Sequence, residues 1–236
     1  MPKSPLTWLA ILLISIDLVL VAAFVVSAFG IEIRPIVYRL IDLDAEGSIA
    51  GWFSSSKLFV AGFVFASAGF FRRDNSVGHT FYFLWAMAFF FLSADEAVGF
   101  HEKITQLLQT VKFLPRFSGN HGIWIPLYAL AGIGFIAWIA KPSLRIWRSG
   151  NNGIAILFIG IVVFVIGAVF VEILSYGELR ETTNQRSYLF QVVLEETIEL
   201  VGISIILVGA VKTCFERRSR TWSAYPHQGR LFQTQS

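Results

Sequence analysis

The sequence predicts an all-α membrane protein with six transmembrane helices. Of its 236 residues, 55% are hydrophobic and only 15% are charged, and the mean hydropathy is +0.64. This composition excludes an ordinary soluble domain. A helix needs roughly twenty apolar residues to cross about 30 Å of hydrocarbon, and six stretches reach that length. They are residues 6–29, 52–71, 79–100, 122–140, 153–175 and 187–211.

The first stretch has two interpretations. Lys3 followed by an apolar run and Val26-Ser27-Ala28 is typical of a secretory signal peptide with a small-residue cleavage site. The apolar run is longer than the core of such a peptide, which has about 7–15 residues. We therefore expect the first helix to be retained, with cleavage as the alternative.

The charges between the stretches predict the orientation. Cytoplasmic loops of membrane proteins carry an excess of Lys and Arg, so the more basic side is predicted to be cytoplasmic, together with both termini. That side has eleven of the 19 basic residues and only two acids, whereas the other side has eight basic residues largely offset by acids. The eleven are Lys3, Arg72, Arg73, Lys141, Arg145, Arg148, Lys212, Arg217, Arg218, Arg220 and Arg230.

The same features define domain and location. We expect residues 1–220 to form one transmembrane domain and the polar residues 221–236 to form a disordered cytoplasmic tail. The basic residues are scattered among loops, so the net charge of +3 indicates a lipid bilayer as partner and no nucleic acid. A bacterial inner membrane is the expected location. Cys214 is the only cysteine, which excludes an internal disulfide and a Cys-based zinc site.

Acidic side chains inside the apolar stretches are the main functional signal. A carboxylate in hydrocarbon costs several kcal/mol unless it is paired, protonated, hydrated or bound to a cation, so acids on different helices indicate a working site. Six of the seven are predicted at the outer end of the membrane. The seven are Asp17, Asp95, Glu96, Glu172, Glu195, Glu196 and Glu199.

Helical spacing predicts which acids share a face. Asp95 and Glu102 are seven residues apart, with Gly99 between them leaving room for a ligand, whereas Glu96 and His101 point elsewhere. On the sixth stretch, Glu195 belongs to a one-faced stripe with Gln191, Glu199 and Gly202, and Glu196 lies beside it. Glu172 and His121 lie at comparable depth.

Three interpretations of this group remain open. Carboxylates with imidazoles bind divalent cations such as Mn, Fe, Zn, Mg or Ca. Packed carboxylates also form proton or cation relays. The third interpretation is structural, with protonated acids that tie helices together. The predicted metal ligands are Asp95, Glu96, His101, Glu102, His121, Glu195, Glu196 and Glu199.

Known catalytic signatures are absent from the sequence. His101-Glu102-Lys-Ile-Thr105 lacks the second histidine of the zincin motif. The Glu-x-x-His pairs of di-iron bundles are also missing, because Gly99 follows Glu96 at that spacing.

The outer segment 42–57 carries a second group of polar residues. We expect Asp42-Leu-Asp44-Ala-Glu46-Gly47 to form a turn over the mouth of the site, with Lys57 near the acids as a counter-charge. Ser54 to Ser56 are predicted to cap the second helix. Asp17, deeper in the membrane, is either a hydrogen-bonding partner between helices or a relay group beneath the outer acids.

Three segments together resemble a family of bacterial multi-pass membrane proteins that has no established activity. They are DLDAEG followed by WFSS (42–55), SADEAVGFHE (93–102) and EETIE (195–199). The chain departs from the family pattern at Ser48-Ile-Ala-Gly51, where Asn-x-Pro-Thr is expected. The resemblance supports the fold and the choice of residues.

The leading hypothesis is a divalent-metal site that acts on a lipid or periplasmic substrate through metal-activated water. The alternatives are a proton- or cation-coupled transporter that uses the same acids, and a non-catalytic membrane scaffold. Alternating access normally places its site near the midplane between repeated halves, so the outer position of the acids and the lack of a visible repeat disfavour a transporter.

Overall fold

Six long helices form a bundle in the computed structural model. It describes residues 4–29, 34–45, 47–71, 78–116, 122–174 and 185–222, except for the side chains of 29, 185 and 216–222. No strand occurs in these ranges. The six predicted spans are confirmed by helices long and apolar enough to cross a membrane, at Pro5–Ala28, Ile49–Phe71, His79–Val98, Trp124–Arg148, Gly153–Leu174 and Arg186–Phe215.

Nine α-helical segments follow one another along the described part of the chain. Between α7 and α8, the backbone is π-helical over Ile166–Val171. The helices are α1 (Pro5–Phe29), α2 (Pro35–Ile41), α3 (Ile49–Phe71), α4 (His79–Val98), α5 (Phe100–Leu108), α6 (Trp124–Arg148), α7 (Gly153–Val165), α8 (Glu172–Leu174) and α9 (Gln185–Trp222).

Helix α3 begins earlier than the apolar pattern indicates. The Ser48 hydroxyl accepts a hydrogen bond from the Gly51 backbone N–H at 3.1 Å, which satisfies one of the donors that a helix N-terminus leaves open. The prediction that Ser54 to Ser56 cap this helix was therefore wrong. Ser55 instead lies within α3 and exchanges hydrogen bonds with Ser93 of α4: each hydroxyl donates to the other residue's carbonyl oxygen at 2.8 Å.

Aromatic side chains fill the contact between α3 and α4. The Phe65 ring of α3 stacks on Trp85 at a centroid distance of 5.8 Å and on Phe89 at 5.9 Å. All three side chains are buried. Since lipid tails are as apolar as these rings, close packing rather than escape from water holds the two helices together.

Glycines allow α7 and α9 to pack backbone against backbone. A Cβ atom added at Gly209 of α9 would lie 2.4 Å from the Leu157 backbone nitrogen of α7. One added at Gly160 of α7 would lie 2.5 Å from the Ile206 nitrogen of α9. Both distances are shorter than van der Waals contact allows. The two helices can therefore approach this closely only because glycine has no side chain at these positions.

Gly99 ends α4 and separates it from α5. Its φ of 65° and ψ of 48° are left-handed, a conformation that glycine adopts without a Cβ penalty. The Gly99 N–H donates to the Asp95 carbonyl oxygen at 2.7 Å. Helix α5 therefore follows α4 directly but is not continuous with it.

Helix α6 exposes a long apolar surface. Leu130, Ile133 and Trp138 are 72%, 68% and 66% exposed. Such a surface fits a lipid bilayer, where exposed apolar side chains have favourable neighbours. The chain is thus an integral membrane protein by the length, composition and surface of its helices.

Candidate functional site

A buried ion pair joins α1, α3 and α9 near the centre of the bundle. Lys57 Nζ of α3 lies 2.8 Å from Asp17 Oδ1 of α1, and the two side chains are only 2% and 1% exposed. Asp17 is twelve residues from each end of α1, about 18 Å along the axis. The pair therefore lies close to the midplane of any membrane that α1 spans.

Helix α9 supplies the remaining hydrogen-bond partners of this ion pair. Lys57 Nζ also donates to the Leu200 carbonyl oxygen at 2.8 Å and to Ser204 Oγ at 3.1 Å. Ser204 Oγ in turn donates to Asp17 Oδ2 at 2.6 Å. All three ammonium donors have acceptors, which is the condition for keeping a charge in a medium of low dielectric constant.

The position of Lys57 corrects the prediction from charge patterning, which placed it on the outer side. Helix α3 starts at Ile49, so Lys57 lies eight residues, or about 12 Å, inside the helix. Its role as a counter-charge holds, but its hydrogen-bonded partner is Asp17, which the sequence placed beneath the outer acids. Asp17 is a hydrogen-bonding partner between helices, as one of its two predicted roles required.

Three glutamates connect this pair electrostatically to α4 and α9. Glu96 interacts with Lys57 through its charge and with the Ser54 side chain through a hydrogen bond. Glu196 and Glu199 each interact with the charge of Glu96. All three glutamates are half-buried. The charges of Glu96 on α4 and of Glu196 and Glu199 on α9 therefore act on one another.

Gly167 makes room for Glu199. A Cβ added at Gly167 would lie 2.7 Å from Glu199 Cγ and 3.0 Å from the Glu199 backbone nitrogen. Gly167 belongs to the π-helical segment Ile166–Val171, and single π-helical turns inside α-helices are frequent at functional sites. The irregular turn and the glycine together place this glutamate against the α7 side of the bundle.

Asp95 forms a separate polar group with His101 and Tyr128. Its Oδ1 accepts hydrogen bonds from the His101 backbone N–H at 2.9 Å and from the Tyr128 hydroxyl at 3.0 Å. Its Oδ2 lies 3.2 Å from His101 Nδ1. The group joins α4, α5 and α6. An Nδ1–H directed at Asp95 leaves the other ring nitrogen, Nε2, to accept a proton or bind a ligand.

Trp124 links this group to Glu172. The His101 and Trp124 ring centroids are 5.1 Å apart, and Trp124 Nε1 donates to Glu172 Oε1 at 3.4 Å. Tyr128 packs edge-on against the same indole at 5.2 Å. Tyr128 and Trp124 were not predicted as site residues. Their spacing of one helical turn at the start of α6 was the available signal.

The charges around His101 raise its pKa. Burial acts to lower it, but the hydrogen bond to Asp95 and the negative charges of Asp95, Glu172 and Glu102 outweigh that effect. His101 is therefore more readily protonated than a histidine in water.

The outer segment carries a further group of acids near α9. Tyr188 of α9 donates a hydrogen bond to Asp44 Oδ2 at 2.6 Å, which fixes the segment against this helix. The charges of Asp42 and Asp44 reach Glu196. Burial raises the pKa of Asp42, the Asp44 N–H acts to lower it, and the Asp44 charge raises it further. Asp42 and Asp44 of the predicted turn thus lie near the acids of α9, whereas Glu46 is outside the described residues.

Two groups contain most of the residues predicted to bind a metal. Asp95 and His101 form one, and Glu96, Glu196 and Glu199 form the other, with the charge of Glu195 close to them. Glu102 is exposed, because Gly99 interrupts the helix that would have placed it on one face with Asp95. His121 lies outside the described residues. Within the described ranges, no group of three or more His, Cys, Asp or Glu side chains is arranged to hold a metal ion. The metal site itself stays a prediction.

Comparison with known protein families gives a match over most of the chain. Residues 11–213 match the family model described as Domain of unknown function (DUF8692). No curated protein and no solved structure matches the chain. The match extends over most of the 236 residues and includes both polar groups. The chain belongs to the family Domain of unknown function (DUF8692).

Proposed function

We propose that this protein is a proton-coupled transporter of the bacterial inner membrane. In this proposal, Glu96, Glu196 and Glu199 exchange protons with the outer side, and the Asp17 and Lys57 pair forms the inner end of the path. The observation that carries the proposal is the buried contact of 2.8 Å between Lys57 Nζ and Asp17 Oδ1, which lies close to the charge of Glu96.

The balance of charge supports proton binding. With every group ionised, Asp17, Glu96, Glu196 and Glu199 give four negative charges, and Lys57 offsets one of them. Three uncompensated charges in a membrane interior are too costly, so protons or cations must reduce them. A group of acids that gains or loses protons when its surroundings change can couple proton movement to the transport of a substrate.

The depth of the ion pair also supports a transporter. Outer acids alone disfavour alternating access, which uses a site near the midplane. Asp17 lies twelve residues from each end of α1, so the connected groups extend from the predicted outer end to the middle of the bundle. A change in Glu96 protonation would alter the field at Lys57 and hence the strength of its pairing with Asp17.

Infrared difference spectroscopy tests proton binding directly. After a pH jump on the purified full-length protein, we expect a carboxylic-acid C=O band that is reduced in Glu96→Gln and Glu199→Gln. Glu102→Gln is the matched control, since this acid is exposed, and it should leave the band unchanged. Transport is tested in proteoliposomes with an enclosed pH indicator. A band insensitive to both substitutions would refute the proposal.

A divalent-metal site is the second candidate, favoured by the contact between Asp95 and His101. Histidines that bind metals usually direct their other ring nitrogen to a carboxylate, as His101 Nδ1 does here. Metal-activated water would then act on a lipid or periplasmic substrate. Stoichiometric Mn, Fe, Zn, Mg or Ca after reconstitution, with melting that chelators lower, would support this candidate over proton coupling.

A further inference from the structure

A groove between α4 and α6 combines positive charge with an apolar floor. It has a volume of about 340 Å³, within the range of small-molecule sites. It lies where α4 begins and α6 ends, the end of the bundle that is predicted to be cytoplasmic. Its lining residues are Thr80, Phe81, Leu84, Trp138, Lys141, Pro142 and Arg145.

The charged side of the groove comes from α6. Lys141 and Arg145 are four residues apart, so they lie one above the other on the same face, and both are exposed. Among the described residues that line the groove, none is acidic. The groove therefore presents two positive charges that complement an anion.

The other lining residues favour a lipid. Phe81, Leu84 and Pro142 are apolar, and Trp138, one turn before Lys141, is 66% exposed on the surface that faces the bilayer. A tryptophan at this level is typical of the membrane interface. The groove thus passes from cations to hydrocarbon within one helical turn, which matches a phosphate followed by an acyl chain and not a soluble anion.

We propose that this groove binds an anionic phospholipid, with the phosphate at Lys141 and Arg145 and an acyl chain along Leu84 and Trp138. Basic pockets between transmembrane helices on the cytoplasmic side bind anionic headgroups in this way. The site is at the opposite end of the bundle from the acids, so the proposal is independent of proton coupling.

Binding of phosphatidylglycerol to the detergent-purified full-length protein tests the proposal, with phosphatidylcholine as the neutral reference lipid. We expect preferential binding of phosphatidylglycerol. Lys141→Gln and Arg145→Gln should each weaken it about fivefold, the change that corresponds to ~1 kcal/mol per basic residue. Arg148→Gln is the matched control, because it removes the same charge from the same end of α6 outside the groove.

Each remaining outcome either supports or refutes the proposed lipid site. Trp138→Ala should also weaken phosphatidylglycerol binding, without changing the melting temperature of the lipid-free protein. An equal loss in Arg148→Gln would show general surface attraction and refute the site. Equal binding of both lipids, or full competition by inorganic phosphate, would also refute it. If Lys141→Gln and Arg145→Gln lose binding of an acidic peptide but keep binding of phosphatidylglycerol, the groove binds a protein partner and the lipid proposal is refuted.

Discussion

Lys57 Nζ lies 2.8 Å from Asp17 Oδ1, and this contact closes a ring in which Ser204 accepts from the lysine and donates to the aspartate. The ring joins three helices that are far apart in the chain. A product cleaved after Ala28 would lose the carboxylate that pairs with Lys57. The pair thus favours the retained first helix over the signal peptide.

Breaking this pair should destabilise the protein strongly. Lys57→Met leaves the Asp17 charge buried without its partner, so we expect a loss of about 3–5 kcal/mol in the free energy of unfolding. The double variant Asp17→Leu/Lys57→Met should lose less, since no unpaired charge remains. Unfolding in mixed detergent micelles measures both. Lys112→Met, at an exposed lysine outside both proposed sites, is the control. A double variant no more stable than Lys57→Met would contradict the coupling.

The packing of α7 against α9 should tolerate no added methyl group. Gly209→Ala would place Cβ 2.4 Å from the Leu157 nitrogen and force the helices apart, so we expect a clear fall in melting temperature. Gly132→Ala is the matched control, because its Cβ would meet no atom within 4 Å on the lipid-facing side of α6. Similar melting temperatures for the two variants would show that the close approach is not needed.

Gly167→Ala should affect proton binding more than stability. The added Cβ would lie 2.7 Å from Glu199 Cγ and 3.0 Å from the Glu199 backbone nitrogen, and since the side chain moves more easily than the backbone, we expect the Glu199 carboxyl group to change position. The infrared carboxylic-acid band should then change in position or in its pH dependence. Gly134→Ala, with open space around its Cβ, should leave the band unaltered. An unchanged band in Gly167→Ala would mean that Glu199 is not the group observed.

The raised pKa of His101 predicts how its contribution to stability varies with pH. The protonated ring is favoured in the folded state, so this stabilisation is fully present below the unfolded-state pKa of about 6.5. It is lost as pH rises through the higher pKa of the folded state.

Asp95→Asn should lower the His101 pKa. The substitution removes the negative charge to which His101 is hydrogen-bonded, and Asp95 raises this pKa more than any other residue does. The loss of stabilisation then moves to lower pH. NMR titration of ¹⁵N-labelled histidine measures the change directly. Glu102→Gln should lower the His101 pKa less, since the charge of Glu102 raises this pKa least. An unaltered His101 pKa in Asp95→Asn would exclude the pairing.

The orientation can be tested by labelling single cysteines in a Cys214→Ser background. Eleven basic residues against two acids predict that the end of α6 is cytoplasmic. A cysteine at exposed Ser149 should therefore be shielded from an impermeant reagent in intact cells, whereas one at exposed Thr110 should react. The reverse pattern would place the acids on the cytoplasmic side.

Hydropathy and spacing were enough to identify the six spans and the acids of α4 and α9. Both follow from local rules: a helix of apolar residues must match the thickness of the membrane, and an acid within it is costly wherever it lies. The stripe of Glu195 and Glu199 is a property of one continuous helix. The resemblance to a membrane-protein family stays a prediction, as do the orientation and the metal site.

Only the tertiary structure decided which polar side chains contact one another. Lys57 pairs with Asp17 because α3 begins at Ile49 and packs beside α1 and α9, which no local pattern indicates. Asp95 turns to His101 and Tyr128 because Gly99, in the left-handed conformation, breaks the helix and brings the His101 N–H back to the carboxylate. Helical periodicity assigns a residue to a face of its own helix, but the neighbour of that face depends on how distant segments pack, and the energies that select the packing are sums over many contacts between them.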